Sequence, residues 1–212
     1  MTLKITEIFF SLQGETRFVG LPTIFIRLTG CPLRCGYCDT AYAFSGGENK
    51  TIDDILKSIE KYKTKYVTVT GGEPLAQKDC IDLLSALCDR GYTVSLETSG
   101  AMDVALVDPR VVKIMDIKTP GSLEVSKNNF NNIQYLLPHD EVKFVITNRD
   151  DYEWSKKIIS QFSLDQKCHL LFSPSYQQLS YADLSDWILE DGLPVRFQVQ
   201  LHKVIWGDVA GK

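Results

Sequence analysis

Three thiols fall within eight residues, Cys31, Cys35 and Cys38, at the spacing C-x3-C-x2-C, directly after the apolar run Thr23 to Gly30. Cysteine thiolates hold iron-sulfur clusters, and three of them on a four-iron cluster leave one iron open to a small molecule. Such a vacancy makes a reaction centre of what would otherwise be an electron carrier. The pair Cys35-Gly-Tyr-Cys38 alone also fits one knuckle of a zinc site, which needs a second pair to close its tetrahedron. Cys80, Cys88 and Cys168 stand singly, and the first two, in a helix-like stretch, would share an apolar face as buried cysteines. A redox dithiol should open a helix in a thioredoxin-like unit, whereas Cys38 runs into Asp39-Thr40-Ala-Tyr42 and then Ser45-Gly-Gly-Glu48.

Other residues combine with the thiols. Gly71-Gly72-Glu73-Pro74 ends the strand-like run Tyr66 to Thr70, and glycine there lets backbone approach a ligand. By itself it is a tight turn. In Thr23 to Thr29, Phe25, Arg27 and Thr29 point one way and Ile24, Ile26 and Leu28 the other, so Arg27 faces inward if the aliphatic row meets helices. A guanidinium buried there requires a partner, either an internal carboxylate or that of a ligand gripped bidentately. Taken alone, His202 reads as a satisfied histidine in an alternating strand, and Thr40 as a helix cap.

The elements that must position these residues are short apolar and β-branched runs: Thr23 to Thr29, Tyr66 to Thr70, Thr93 to Glu97, Val111 to Ile117, Val142 to Thr147, His169 to Phe172 and Val195 to Leu201. Helix signals lie between several of them. Thr51-Ile-Asp-Asp54, Asp150-Asp-Tyr-Glu153 and Ser180-Tyr-Ala-Asp183 open helices, and Gly91 and Gly192 stop them. Lys127 to Asn132 reads as a polar loop. Alternating strands and helices imply an α/β fold with a parallel sheet. Cys31, Gly71 to Glu73, Thr98 to Gly100, Lys118, Ser173 and His202 all fall at or just past the carboxyl ends of these strands, where parallel barrels gather active sites. Seven strands are one short of a closed eightfold unit, so the expectation is an open, partial (β/α) barrel formed by a single domain over residues 1–212.

At 212 residues, 44% hydrophobic and 24% charged, the chain can bury a substantial core. No basic leader with an apolar stretch opens it, and no apolar run nears the roughly 20 residues that cross a bilayer. The expected setting is cytoplasmic, where thiols stay reduced, with no membrane partner. A net charge of -4 speaks against a nucleic-acid surface; the expected partner is a small molecule.

The cysteine loop resembles the signature of the radical S-adenosylmethionine (SAM) superfamily. Leu12-Gln-Gly-Glu15, Arg27, Cys38-Asp-Thr40, Thr70-Gly-Gly-Glu-Pro74 and Gln200-Leu-His202-Lys203 together resemble the 7-carboxy-7-deazaguanine synthases over nearly the whole chain. The resemblance implies a 4Fe-4S cluster on Cys31, Cys35 and Cys38. It implies SAM held at its methionine end by Gly72 and Glu73, the latter as a charge or as a brace for the loop. Tyr37 and Asp39 would lie near the adenine, with Ser99, Lys118 and Ser173 completing the cofactor pocket. Substrate contacts would come from Leu12, Gln13, Gly14, Arg27, Thr70 and His202, the last three being the catalytic set, and Mg2+ would sit on Thr40. The implied reaction is hydrogen abstraction by a 5'-deoxyadenosyl radical from carbon 6 of 6-carboxy-5,6,7,8-tetrahydropterin, then ring contraction with loss of ammonia and catalytic use of SAM. A reductant such as flavodoxin and a homodimer come with the family.

Two other readings share parts of this pattern. A glycyl-radical activating enzyme also carries C-x3-C-x2-C and Gly-Gly-Glu-Pro but acts on a protein; Leu12-Gln-Gly-Glu15, Arg27 and Thr40 speak against it. A non-catalytic iron-sulfur carrier would need a fourth ligand and no Gly-Gly-Glu strand end.

Overall fold

A computed structural model describes residues 1–211. Nine strands form one sheet: β1 (Thr2–Leu12), β2 (Pro22–Leu28), β3 (Glu48–Thr51), β4 (Tyr66–Gly71), β5 (Thr93–Thr98), β6 (Val112–Asp116), β7 (Glu141–Ile146), β8 (His169–Pro174) and β9 (Arg196–Phe197), in the order β3-β1-β2-β4-β5-β6-β7-β8-β9. From β2 to β9 every pairing is parallel. β1 pairs antiparallel with both β2 and β3, so the sheet is not parallel throughout, and these two strands add to the seven expected. The open α/β sheet carries its four longer helices on one face and the cavity on the other.

The period-two reading of β2 holds. Ile24, Ile26 and Leu28 are fully buried among α1 (Ile52–Ile59) and α2 (Cys80–Asp89) together with Val67, Val69, Val94 and Leu96. A second cluster packs Val142, Phe144, Leu170 and Phe172 against α3 (Arg149–Phe162) and α4 (Tyr181–Asp191). Removing one such side chain to Ala costs about 2–5 kcal/mol.

Helix ends follow local chemistry. Thr51 and Asp54 form a reciprocal capping box at α1, and Gly192 closes α4 in the left-handed conformation. α3 starts slightly earlier than expected, because Asn148 rather than Asp150 caps it by accepting from the Asp151 amide. The stretch expected as a polar loop is two 3-10 turns, and Asn132 within it is fully buried, donating to the carbonyls of Gly100 and Met102.

The largest departure is at the C-terminal end. Val195 to Leu201 alternates like a strand, but only Arg196–Phe197 pairs with β8. The chain then turns into a six-residue helix, α5 (Leu201–Trp206), and His202 sits in its first turn rather than at a strand end.

Candidate active site

At the carboxyl ends of β2, β4, β5, β6, β7 and β8 lies a cavity of about 490 Å³, of a size typical for small-molecule sites. All three cysteines of the loop line it, with Arg27, Thr70, Gly72 and His202. The loop is stitched to the end of β4: the Glu73 amide donates to the Gly30 carbonyl at 2.8 Å and the Gly72 amide to Leu28 at 3.3 Å. A β-carbon at position 72 would overlap the Gly30 carbonyl and the Cys31 side chain, which is why glycine stands there. On its other side the loop is held by the Gly36 amide on the Ser122 carbonyl at 3.0 Å and by Arg34, whose guanidinium donates to the carbonyls of Cys31 and Leu33 at 2.8 and 2.6 Å.

Glu73 does not face the cavity. It is fully buried, and its carboxylate accepts from the Leu75 amide, the Thr98 hydroxyl, and both the amide and hydroxyl of Ser99. Of the two roles expected for it, the geometry matches the brace: it ties the end of β4 to the end of β5 and leaves Gly72 and Ser99 on the wall.

The floor is a buried polar network. Lys143 pairs with Glu15 at 2.7 Å and with Asp116 at 3.5 Å; Thr70 donates to Glu97 at 2.9 Å and Gln13 to Thr68 at 3.1 Å. Burial opposes the Lys143 charge, but the carboxylates of Glu15, Asp116 and Glu97 hold it well above the ordinary lysine range. Burial likewise opposes ionisation of Glu15, and the Lys143 ammonium brings it below the usual carboxylate value. Glu97 goes the other way, raised by burial and by the neighbouring Glu15.

Arg27 is half-buried and directs Nε to Glu7 at 2.7 Å, while Glu7 also accepts from the Tyr42 hydroxyl. The internal bridge considered for this residue is therefore present, yet it occupies Nε alone. Among the described residues neither Nη1 nor Nη2 has a hydrogen-bond partner, and the side chain lines the cavity.

The other expected residues converge on the same space. Leu12, Gln13 and Gly14 form one rim, where a β-carbon at position 14 would overlap the His202 ring. Tyr37, Asp39, Thr40, Lys118 and Ser173 line the same cavity. The Thr40 hydroxyl donates to Asp39 at 2.9 Å. Asp39 pairs with Lys203 at 2.8 Å, which together with Thr40 and Gln200 outweighs burial and holds its carboxyl far below the usual value. Burial and the charge of Lys203 and Lys143 keep His202 below its ordinary value despite Glu15 and Asp39. Sequence reasoning missed Lys143 altogether. Its signal was a lysine in period-two register within the apolar run Val142 to Ile146.

The donor set fits an iron-sulfur cluster with SAM. Six cysteines are free, and three of them line the cavity, without a fourth thiol among its lining residues. Among the described residues no group of three His, Cys, Asp or Glu side chains is already drawn together as a cation site. One buried oxygen on the wall, the Tyr37 hydroxyl, has no hydrogen-bond partner among the described residues, as expected of a group facing a polar ligand; Asp116 Oδ1 lies 3.1 Å from the Lys118 ammonium. Burial raises the thiols of Cys31 and Cys35.

Comparison with known proteins agrees with this geometry. The model of the radical SAM superfamily matches residues 25–162. The 7-carboxy-7-deazaguanine synthase of Chlorobaculum tepidum is 46% identical over 96% of this chain and 94% of its own length, and that of Koribacter versatilis 41% identical over 96% and 97%. The crystal structure of QueE from Escherichia coli superposes with a TM-score of 0.75 at 25% identity, covering 95% of each chain. Streptococcus suis SuiB bound to S-adenosylmethionine shares the fold alone, with a TM-score of 0.59 at 15% identity over 81% of this chain and 45% of that one. With a matching superfamily model, near-full-length relatives and the cysteine loop set against Gly72 on one cavity, the chain belongs to the 7-carboxy-7-deazaguanine synthase family of radical SAM enzymes.

Proposed function

We propose that this chain converts 6-carboxy-5,6,7,8-tetrahydropterin to 7-carboxy-7-deazaguanine with release of ammonia. The observation that carries the reading is the convergence of the three free thiols, the Gly72 backbone and the unpaired end of the Arg27 guanidinium on one cavity. A four-iron cluster on Cys31, Cys35 and Cys38, with SAM beside it, supplies the hydrogen abstraction that starts the ring contraction.

The chain's own residues bind, orient and seal. Arg27 takes the substrate carboxylate on its Nη atoms while Glu7 fixes its Nε. Gln13, Thr70 and Glu97 offer amide, hydroxyl and carboxylate to a ring that both donates and accepts, and His202 closes over Gly14. Gly72, Ser99, Lys118, Tyr37, Asp39 and Ser173 line the SAM side, with Glu73 as their brace. Thr40 gives its proton to Asp39 and so keeps its lone pairs for Mg2+, whose remaining ligands are substrate oxygens and water. Exclusion of water protects a radical from side reactions.

A reductant such as flavodoxin belongs to this reading, because the chemistry consumes an electron before it begins. A homodimer is supported by the exposed Val204, Ile205 and Val209 near the C-terminus. A cytoplasmic setting is supported by the absence of disulfides; among the described residues no helix is long and apolar enough to cross a membrane.

The test is anaerobic incubation of reconstituted protein with the carboxylated pterin, SAM, dithionite and Mg2+. Ammonia, a product with the mass of 7-carboxy-7-deazaguanine and more than one turnover per SAM consumed are expected, with Thr40→Ala losing the magnesium response but not the cluster. SAM cleavage with the pterin returned unchanged defeats the substrate assignment and turns attention to a protein substrate.

A further inference from the structure

Lys203 is 8% exposed. An ammonium buried so far is costly unless it is paired, and its partner is not on its own helix. It spans to the cysteine loop, 2.8 Å from Asp39, and lies over the Tyr176 ring at 4.8 Å. Asp208 is a more distant second partner at 3.7 Å.

Helix α5 has few other ties to the body of the protein. The Leu201 amide donates to the Gly14 carbonyl at 2.9 Å, and Gln200, just before the helix, donates to Glu15 at 3.0 Å and to Asp39 at 3.2 Å. The outward side of the helix, Val204 and Ile205, is exposed. A six-residue helix has little intrinsic stability, so its place depends on these contacts. Asp39 follows Cys38 directly, and His202 directly precedes Lys203 and packs on Gly14. One continuous chain of contacts thus joins the thiol loop through Asp39 and Lys203 to His202, and through Gly14 and Glu15 to Lys143.

We propose that Lys203 is a positioning residue that fixes the substrate rim, carried by α5 and Gly14, relative to the cysteine loop, and so keeps hydrogen abstraction coupled to product formation. Lys203 reaches the cavity lining beside Asp39, and the role assigned to it is to hold Asp39 and α5 in place rather than to bind a reactant. The proposal rests on the functional reading above, since it presumes a reactive group on one side of the cavity and a substrate on the other. Misplacement by a fraction of an ångström between them is costly, and SAM then breaks without productive transfer.

Two measurements on Lys203→Met, which keeps most of the side chain's length but removes the ammonium from Asp39 and from the Tyr176 ring, test this. Amide hydrogen exchange of the protein without added ligands should show faster exchange at Leu201 than in the wild type. In the assay above, 5'-deoxyadenosine released per product should rise by about tenfold to a hundredfold, with iron content and the SAM-induced spectral change retained. Lys203→Arg should restore both toward the wild type. If Lys203→Met does not fold, Lys203→Gln, which keeps a donor for Asp39 without the charge, is read the same way. Unchanged exchange at Leu201, or an unchanged ratio of 5'-deoxyadenosine to product, overturns the proposal. Should the wild type make no product, the substrate assignment fails while the exchange measurement still decides the role of Lys203.

Discussion

Glu15 and Lys143 lie 128 residues apart in the chain and 2.7 Å apart in the fold. Glu15 follows β1, next to one edge of the sheet, and Lys143 is on β7, toward the other, so their pairing draws the loop after β1 across the cavity floor. Arg17 repeats the move one step further on, its amide donating to Glu141, two residues before Lys143. Thr16 between them is buried with φ at 67°, a costly conformation for a β-branched residue, which the flanking contacts on both sides hold in place.

Removing one member of this pair strands the others. Lys143→Ala leaves Glu15 buried without its ammonium beside Glu97, and Asp116 with Lys118 alone, and should cost about 3–5 kcal/mol of stability at neutral pH. Denaturant unfolding measures it. Glu15→Gln should cost less, because Lys143 keeps Asp116; equal losses would show that the network does not depend on the lysine.

Arg27→Ala should weaken binding of the carboxylated pterin by about 2–5 kcal/mol with the cluster intact. Glu7→Gln should have a smaller effect of the same sign, since Glu7 holds only Nε. Calorimetry with pterins that carry or lack the carboxylate separates the two contributions. If the wild type binds both pterins equally, Arg27 does not read the carboxylate.

Much of this site was legible because it depends on local rules. The cysteine spacing needs no tertiary knowledge, and period-two alternation placed Arg27 on the cavity face and Ile24, Ile26 and Leu28 against helices. The same rule applied to β7 would have singled out Glu141 and Lys143, but nothing in the spacing says that Lys143 meets Glu15. The strand end expected for His202 failed for the opposite reason. Val195 to Leu201 has a strand's alternation, yet β9 is an edge with a single neighbour, and the Leu201 amide finds its acceptor on Gly14 instead of continuing a ladder. β1 and β3 escaped notice because the antiparallel edge lies outside the repeating strand-helix pattern.

The thiols separate by place. Cys31→Ala, Cys35→Ala and Cys38→Ala should each abolish cluster assembly, expected at about four irons per chain, while Cys80, Cys88 and Cys168 should be dispensable for it. Burial raises Cys31 and Cys35, so fewer thiolates exist at a given pH than in an exposed cysteine. Alkylation of the iron-free protein at these two sites should therefore keep accelerating as pH rises beyond the ordinary thiol range. Rates that level off at the exposed-thiol value would contradict their environment. Stoichiometric zinc in place of iron, with no iron-dependent activity, would defeat the cluster assignment.

Glu73→Gln tests brace against direct ligand. Each carboxylate oxygen accepts from a backbone amide, Oε1 from Leu75 and Oε2 from Ser99, so in either orientation a glutamine sets its N–H against a backbone N–H at full burial, a loss of roughly 1–3 kcal/mol. Melting temperature and SAM affinity should fall together, because Gly72 and Ser99 move when the brace goes. A variant of wild-type stability that had lost SAM affinity alone would mean that Glu73 touches the cofactor.

His202 provides a pH test with a definite sign. Its folded value is depressed, chiefly by burial, below the ordinary value near 6.5 of an unfolded histidine. The folded state therefore favours the neutral ring. The stability this contributes is fully present above about pH 6.5 and is lost as pH falls through the folded value, where the unfolded chain binds the proton more readily. His202→Gln does not titrate, so the wild type's advantage over it in urea unfolding should shrink between pH 7.5 and pH 5, the measurement being the difference of the two midpoints at each pH. A constant difference would mean that burial does not hold the ring neutral, and a growing one that Glu15 and Asp39 hold it charged instead.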